Sequence, residues 1–201
     1  RSTLSSSSAA SDVYKRQYVL FTQRPALRQS PITFNTRSGQ LRARWKDAKV
    51  ELDFPVMHYA PFKGSPEIEG ILGFEPVAAA YSGNYYLFEA EDPEQVVDAA
   101  PDFAALASLP MPEVMITAPS ADPRFDFISR FFAPQLGINE DPVTGSAHCL
   151  LTPYWADKLG KSALRAFQAS QRSGILEVML KGERVFITGA AKLIFEGQLL
   201  V

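Results

Sequence analysis

The sequence predicts an α+β protein in which a mainly antiparallel sheet curls around one buried helix. Two features predict it. Alternating runs separated by turn pairs occupy residues 32–54 and 163–195, and one long apolar stripe falls at Ala147, Leu150, Leu151, Tyr154, Trp155 and Leu159. The stripe has helical spacing, and a helix so apolar needs a sheet to cover it. The 201 residues, 46% of them hydrophobic, suffice for a core, since a chain of this size buries roughly 70% of its unfolded surface.

In chain order, ITFNT, QLRARW and AKVELDFP form a meander with turns expected at Ser38-Gly39 and Lys46-Asp47. Pro55 closes its last strand, because proline cannot donate to a ladder. Residues 56–65 read as a loop. EIEGILG (67–73) is a short helix candidate, and PVAAAYSG and NYYLFEA make a hairpin around Gly83-Asn84. Val96, Val97 and Ala100, then Phe103, Leu106 and Leu109, recur at three- and four-residue steps, which predicts two short helices. Asp92 caps the first, and Pro101 is expected to start the second. EVMITA and FDFISRFFA are strands. The central helix is expected over about 145–160, with Gly160 as its left-handed cap. ALRAFQAS, GILEVML, RVFITG and AAKLIFE follow as strands, with turns at Lys181-Gly182 and Glu196-Gly197.

Residues 1–17, RSTLSSSSAASDVYKRQ, carry neither helix nor strand periodicity and no apolar stretch of the kind a secretory signal needs. They read as a disordered or non-native leader, and SDVYKRQ resembles translated sequencing-adapter read-through. Organisation is expected as leader 1–17, the remainder of a first lobe over 18–110, and a second lobe over 111–201.

With 20 Lys+Arg against 22 Asp+Glu, nothing global attracts nucleic acid or an anionic membrane. The one cysteine, Cys149, excludes intrachain disulfides and a structural zinc site built on thiolates, and a reducing, cytoplasmic compartment fits best. No apolar run approaches the ~18 residues of a membrane helix. G-x-S-x-G and G-x-x-x-x-G-K-[ST] are both missing, which removes the commonest hydrolase and nucleotide-binding signals.

The informative stretch is Asn139-Glu140-Asp141-Pro142-Val143-Thr144-Gly145-Ser146-Ala147-His148, directly before the buried helix. Helix-initial N–H groups lack internal partners and carry the positive dipole end, so they attract a small anion such as a substrate carboxylate. Gly145 admits close approach, Thr144 and Ser146 add hydroxyl donors, and Asp141 can accept from an amine or hydroxyl or take a proton. The plainer alternative is that Thr144 only caps the helix and Asp141 only closes a turn.

INEDPVTGSAHCLLTPYWADKLGK, with DFISRFFAP before it and QASQRSGILEVMLKGERVFITGAA after it, resembles the C-terminal lobe of the phenazine-biosynthesis (PhzF-like) isomerase family. FNTRSGQLRARW, VELDFP and PDFAALASL resemble that family's earlier segments. The resemblance runs from about Tyr18 to Val201. It implies a diaminopimelate epimerase-like fold of two pseudo-symmetric lobes, each a sheet wrapped around a helix, with the site between them. It also implies a cofactor-free proton transfer on a small amino- or hydroxy-carboxylate, and a homodimer. Carried over by position, Asp141 is the acidic residue contacting substrate, Ser146 the hydroxyl assisting binding or proton relay, and Thr144 and Gly145 parts of the substrate-binding loop. The family's catalytic glutamate, in a Ser-Glu-Thr-Ala-Phe type motif, and its Gly-His-Ala-Thr motif do not occur in residues 1–201. Tyr18-Val19-Leu20-Phe21 resembles the end of the first central helix, so the chain reads as a fragment with an incomplete first lobe, and as such inactive.

Rival readings are a non-catalytic carboxylate-binding or interaction protein of the same fold, and a racemase built on Cys149. His148 as a base, and Arg130 or Arg172 as carboxylate holders, are weighed against structural roles. His58 reads as solvated, and Trp45 and Trp155 as core.

Overall fold

Eleven strands pair in one sheet, in the order β1-β2-β3-β11-β10-β9-β8-β7-β6-β5-β4, in a computed structural model that describes residues 17–36 and 39–193. The strands are β1 (Ile32–Thr36), β2 (Gly39–Lys46), β3 (Lys49–Pro55), β4 (Ala60–Pro61), β5 (Ala78–Ser82), β6 (Tyr85–Glu89), β7 (Glu113–Pro119), β8 (Phe127–Phe132), β9 (Ala163–Gln168), β10 (Gly174–Lys181) and β11 (Arg184–Gly189). Helix α1 covers residues 17–23, followed by α2 (Pro66–Leu72), α3 (Pro93–Asp98), α4 (Phe103–Ser108) and α5 (His148–Leu159). Pairing is antiparallel except at β6–β7 and β8–β9. Those two parallel pairs need crossovers, which α3–α4 and α5 supply.

The predicted meander forms and joins the C-terminal strands, because β3 pairs with β11 from Val50↔Gly189 to Pro55↔Arg184. Its hairpin turn falls one residue later than expected. Lys46 pairs with Lys49, leaving Asp47 (φ 49°) and Ala48 (φ 61°) as two left-handed central residues. That geometry suits the strand twist but burdens an alanine. Ala48→Gly is expected to raise the unfolding free energy by about 1 kcal/mol. Urea melts should show a higher midpoint at constant slope, and a lower midpoint would contradict the strain. The β10–β11 turn is likewise shifted, to Gly182-Glu183, since Lys181 pairs with Arg184. The Gly83-Asn84 turn lies where expected, with Gly83 at φ 58°.

The short helices α2 and α3 start on proline, which needs no N–H there. Asp92 and Gln95 form a reciprocal capping box on α3. The second of the paired helices begins at Phe103 rather than Pro101, because the Asp102 carboxylate accepts from Ala104 N and Ala105 N at 2.9 and 3.1 Å. Residues 190–193 lie outside the strands, which corrects the first half of the AAKLIFE strand. Its second half, the Glu196-Gly197 turn and residues 1–16 lie outside the described residues. Gln17, the first described residue of α1, is buried.

Two apolar clusters flank the sheet. In one, Leu41, Leu52, Val178, Val185 and Ile187 face Leu150, Leu151, Tyr154 and Trp155 of α5. Phe21 of α1 joins the same cluster, fully buried against Trp45. In the other, Phe88, Val114, Ile116 and Phe132 pack under Ile68 of α2, Val96 of α3 and Leu106 of α4. Strands β6–β8 are therefore covered on both faces, which accounts for their continuous apolar runs.

Helix α5 is buried from His148 to Ala156, so it has no solvent face over that length. It contains Pro153, which cannot donate to the carbonyl four residues back. The freed Cys149 carbonyl accepts Met57 N–H at 3.0 Å. The loop after β3 is thereby joined to the centre of the helix. Gly160 ends α5 at φ 64° as predicted, its N–H bonded to Ala156 O. Among the described residues no helix is long and apolar enough to cross a membrane.

Candidate active site

The segment between β8 and α5 is held at both ends before it reaches the helix. Asp141 N–H bonds to Phe131 O at 3.0 Å. Arg130 on β8 forks onto Glu140 at 2.7 and 3.0 Å and also donates to Val97 O (3.1 Å) and Ala99 O (2.6 Å) at the end of α3. This largely buried guanidinium is thus committed to structure rather than to a ligand. Arg172 is exposed.

Thr144 does not cap the helix. Its hydroxyl donates to Asp141 Oδ2 at 2.7 Å, and the N-cap position belongs to Ala147, which has no side-chain cap. Three tight bonds, His148 N to Gly145 O, Cys149 N to Ser146 O and Leu150 N to Ala147 O, at 3.0–3.1 Å, wind the entry turn. The N–H groups of Gly145, Ser146 and Ala147 find no acceptor among the described residues. Helix α5 thus begins at His148, with residues 145–147 as the turn leading in.

Thr144, Gly145 and Ser146 are buried and Asp141 is partly exposed. Ser146 Oγ is buried without a well-formed hydrogen bond and lies by the Tyr85 phenol. Burial, then the charge of Glu113 on the neighbouring strand, holds that phenol well above its ordinary pKa, and the Ser146 hydroxyl opposes the shift.

Sequence reasoning missed four supports of this loop. Gln168, 1% exposed, accepts Thr144 N–H through Oε1 at 2.8 Å and donates through Nε2 to Asp141 O (2.7 Å) and Thr144 Oγ1 (3.2 Å). Ser170 Oγ donates to Pro142 O at 2.7 Å. At Gly174 a Cβ would sit 2.3 Å from Val143 Cγ2. Tyr85 backs Ser146 as described. The signal available for Gln168 was its place: it continues the inward row Leu164, Ala166 of β9, where an amide needs a polar partner.

His148 is fully buried, with Nδ1 2.8 Å from Thr144 O. A carbonyl only accepts, so Nδ1 carries a proton. Burial pushes its pKa down from 6.5 to about 4, the bond to Thr144 opposing. The folded state therefore binds fewer protons than the unfolded one between those values. Stability is fully present above pH 6.5 and is lost as pH falls from 6.5 towards 4. The loss is of the order of 3 kcal/mol at 1.36 kcal/mol per pKa unit. In urea titrations across that window, His148→Gln should remove most of this slope. An unchanged slope would assign it to other groups.

Cys149 is 2% exposed on α5, its thiol pushed up to about 12 by burial. Burial of this kind disfavours the thiolate that a nucleophile or base would need. It is expected to resist thiol reagents until the protein unfolds, and stoichiometric labelling of the native chain would overturn that. His58 is exposed and bonded to Glu183 at 2.8 Å. Trp155 is core, while Trp45 is half-buried under the Arg28 guanidinium, 4.4 Å from its ring centroid. No cluster of three or more His, Cys, Asp or Glu placed to hold a metal exists among the described residues.

The helix-entry loop thus sits in an α+β protein whose mixed sheet packs on a buried helix. A predicted epimerase of Pseudomonas aeruginosa shares the fold, with a TM-score of 0.63 at 16% identity, over 94% of this chain and 73% of that one. The model of the phenazine biosynthesis-like protein family (PhzC-PhzF) matches residues 16–197, and the chain belongs to that family. A crystal structure of a PhzF-family phenazine biosynthesis protein from Enterococcus faecalis superposes with a TM-score of 0.85 at 36% identity, over 93% of this chain and 71% of that one. An uncharacterized isomerase of Pseudomonas aeruginosa is 46% identical over 168 residues, 84% of this chain and 64% of its own length. The chain thus spans slightly under two thirds of that curated relative.

Proposed function

We propose that the intact protein is a cofactor-independent isomerase that moves a proton on a small amino- or hydroxy-carboxylate. The observation that carries the reading is the loop itself. Asp141 is held by Thr144, and three N–H groups before a buried helix have no acceptor among the described residues, in a chain of this family. The N–H groups of Gly145, Ser146 and Ala147, with the Ser146 hydroxyl, cradle the substrate carboxylate and the anion that develops as the carbon acid loses its proton. Asp141 accepts from the substrate amine or hydroxyl and keeps the reacting carbon in register. A carboxylic acid elsewhere in the cleft carries the proton across.

The test is hydrogen exchange. The protein, extended to the full length of its relatives, is incubated with candidate amino- and hydroxy-carboxylates in deuterated water. Label should enter one carbon of the true substrate, and Asp141→Asn should slow its entry ~100-fold or more. Exchange at full rate in that variant would remove Asp141 from the mechanism. Ligand binding with no exchange across the panel would move the reading to a carboxylate-binding protein. Cys149→Ser should leave exchange unchanged, whereas its abolition would restore the cysteine racemase.

A further inference from the structure

Gln168 ends β9 and reaches the loop from beneath with one side chain that makes three bonds. An amide offers an acceptor and a donor side by side. Its orientation is fixed by its partners. Turning it over would set Nε2 against Thr144 N–H and Oε1 against Asp141 O, two contacts between like groups. With Oε1 on Thr144 N–H at 2.8 Å, Nε2 has no lone pair to offer and must donate to Thr144 Oγ1, 3.2 Å away. The single hydroxyl proton of Thr144 is then left for Asp141 Oδ2 at 2.7 Å. Direction is imposed along the whole chain from amide to hydroxyl to carboxylate.

We propose that Gln168 is the positioning residue of this site: its amide sets the direction of the Thr144 hydroxyl and so presents Asp141 as a hydrogen-bond acceptor, selecting substrates that bring an ammonium or hydroxyl donor to it. The selection of substrate rests on the isomerase reading, and the donor chain does not. The second support of the chain is backbone. The same Nε2 holds Asp141 O at 2.7 Å, and His148 Nδ1 holds Thr144 O at 2.8 Å, so neither end of the relay can rotate away. Glutamate at position 168 would match the amide in shape while reversing this polarity. It still accepts from Thr144 N–H, but it competes with Asp141 for the hydroxyl proton.

The experiment reads the Asp141 side-chain carboxyl carbon by NMR at pH 7 in the 201-residue chain, with no substrate present. Gln168→Glu should move that resonance, and should move it less in a Thr144→Val background than in the unaltered chain, because part of its effect passes through the Thr144 hydroxyl. Thr144→Ser keeps the hydroxyl and should leave the resonance in place. A packing role for Gln168 predicts otherwise: an unmoved resonance in Gln168→Glu, or a shift that adds in full to that of Thr144→Val, and either result overturns the proposal. If Gln168→Glu does not fold, the unaltered chain decides. The Gln168 Nε2 protons should exchange with solvent at least ~10-fold more slowly than those of exposed Gln40, as protected donors do. Equal rates would overturn the chain. Deuterium exchange into substrate is scored separately, so loss of the isomerase reading leaves this result standing.

Discussion

Replacing Trp155 with alanine is expected to lower the unfolding free energy by about 3–5 kcal/mol, the range for emptying a large aromatic site. The indole is 1% exposed in α5 and lies flat on Phe127, with centroids 5.6 Å apart at 10°. Its Nε1 donates to Thr117 Oγ1 at 3.0 Å, and that hydroxyl donates to Ile128 O at 2.6 Å. The helix is thereby bonded to the middle of the sheet through one threonine. Alanine forfeits the ring area and leaves a cavity beside Phe127. Phenylalanine keeps most of the area and loses only the donor, so its loss should be nearer 1–2 kcal/mol. Urea unfolding followed by circular dichroism gives both values. A loss under about 1 kcal/mol for alanine would mean that the core closes over the gap.

Gly174→Ala is expected to disturb the site while leaving the core intact. The new Cβ would meet Val143 Cγ2 at 2.3 Å and Cγ1 at 3.2 Å. Val143 has little room to yield, because Pro142 O is held by Ser170 and Thr144 by Gln168. Overpacking of this kind costs about 1–3 kcal/mol. The larger effect is on geometry. A loop moved by about 1 Å can reduce turnover ~100-fold where substrate must be held in register. Val143→Ala beside it should restore stability in this chain and exchange activity in the protein extended to the length of its relatives, since it removes the methyls that clash. Failure of that rescue would place the cause elsewhere on β10.

These outcomes depend on contacts of two kinds, and only one kind is legible in a sequence. The α5 stripe, the alternation of β9–β11 and the hairpin at Gly83-Asn84 are local patterns, and they could be read. The turns at Asp47-Ala48 and Gly182-Glu183 were displaced by one residue because cross-strand pairing, not turn preference, decides which residues sit at the tip. α4 starts at Phe103, capped by Asp102, rather than at Pro101, because a side-chain acceptor for two N–H groups outweighs a preset φ. Asp141, Thr144, Gly145 and Ser146 stood out because they are contiguous and precede the helix. Gln168, Ser170, Gly174 and Arg130 act on the same loop from β8, the end of β9 and the start of β10. Their relation to it exists only once the sheet has formed. Single polar residues in apolar rows, such as Gln168, are the trace such relations leave.

The bond between Met57 and Cys149 gives Pro153 a meaning that helix propensity scales invert. On those scales alanine at position 153 would favour the helix. Here it would supply an N–H to the carbonyl that the loop after β3 now uses, and the two donors would compete for one acceptor. The proline acts as an address: it marks a point along a buried helix where a distant segment docks on backbone alone. A change that improves α5 in isolation would loosen its hold on the neighbouring chain.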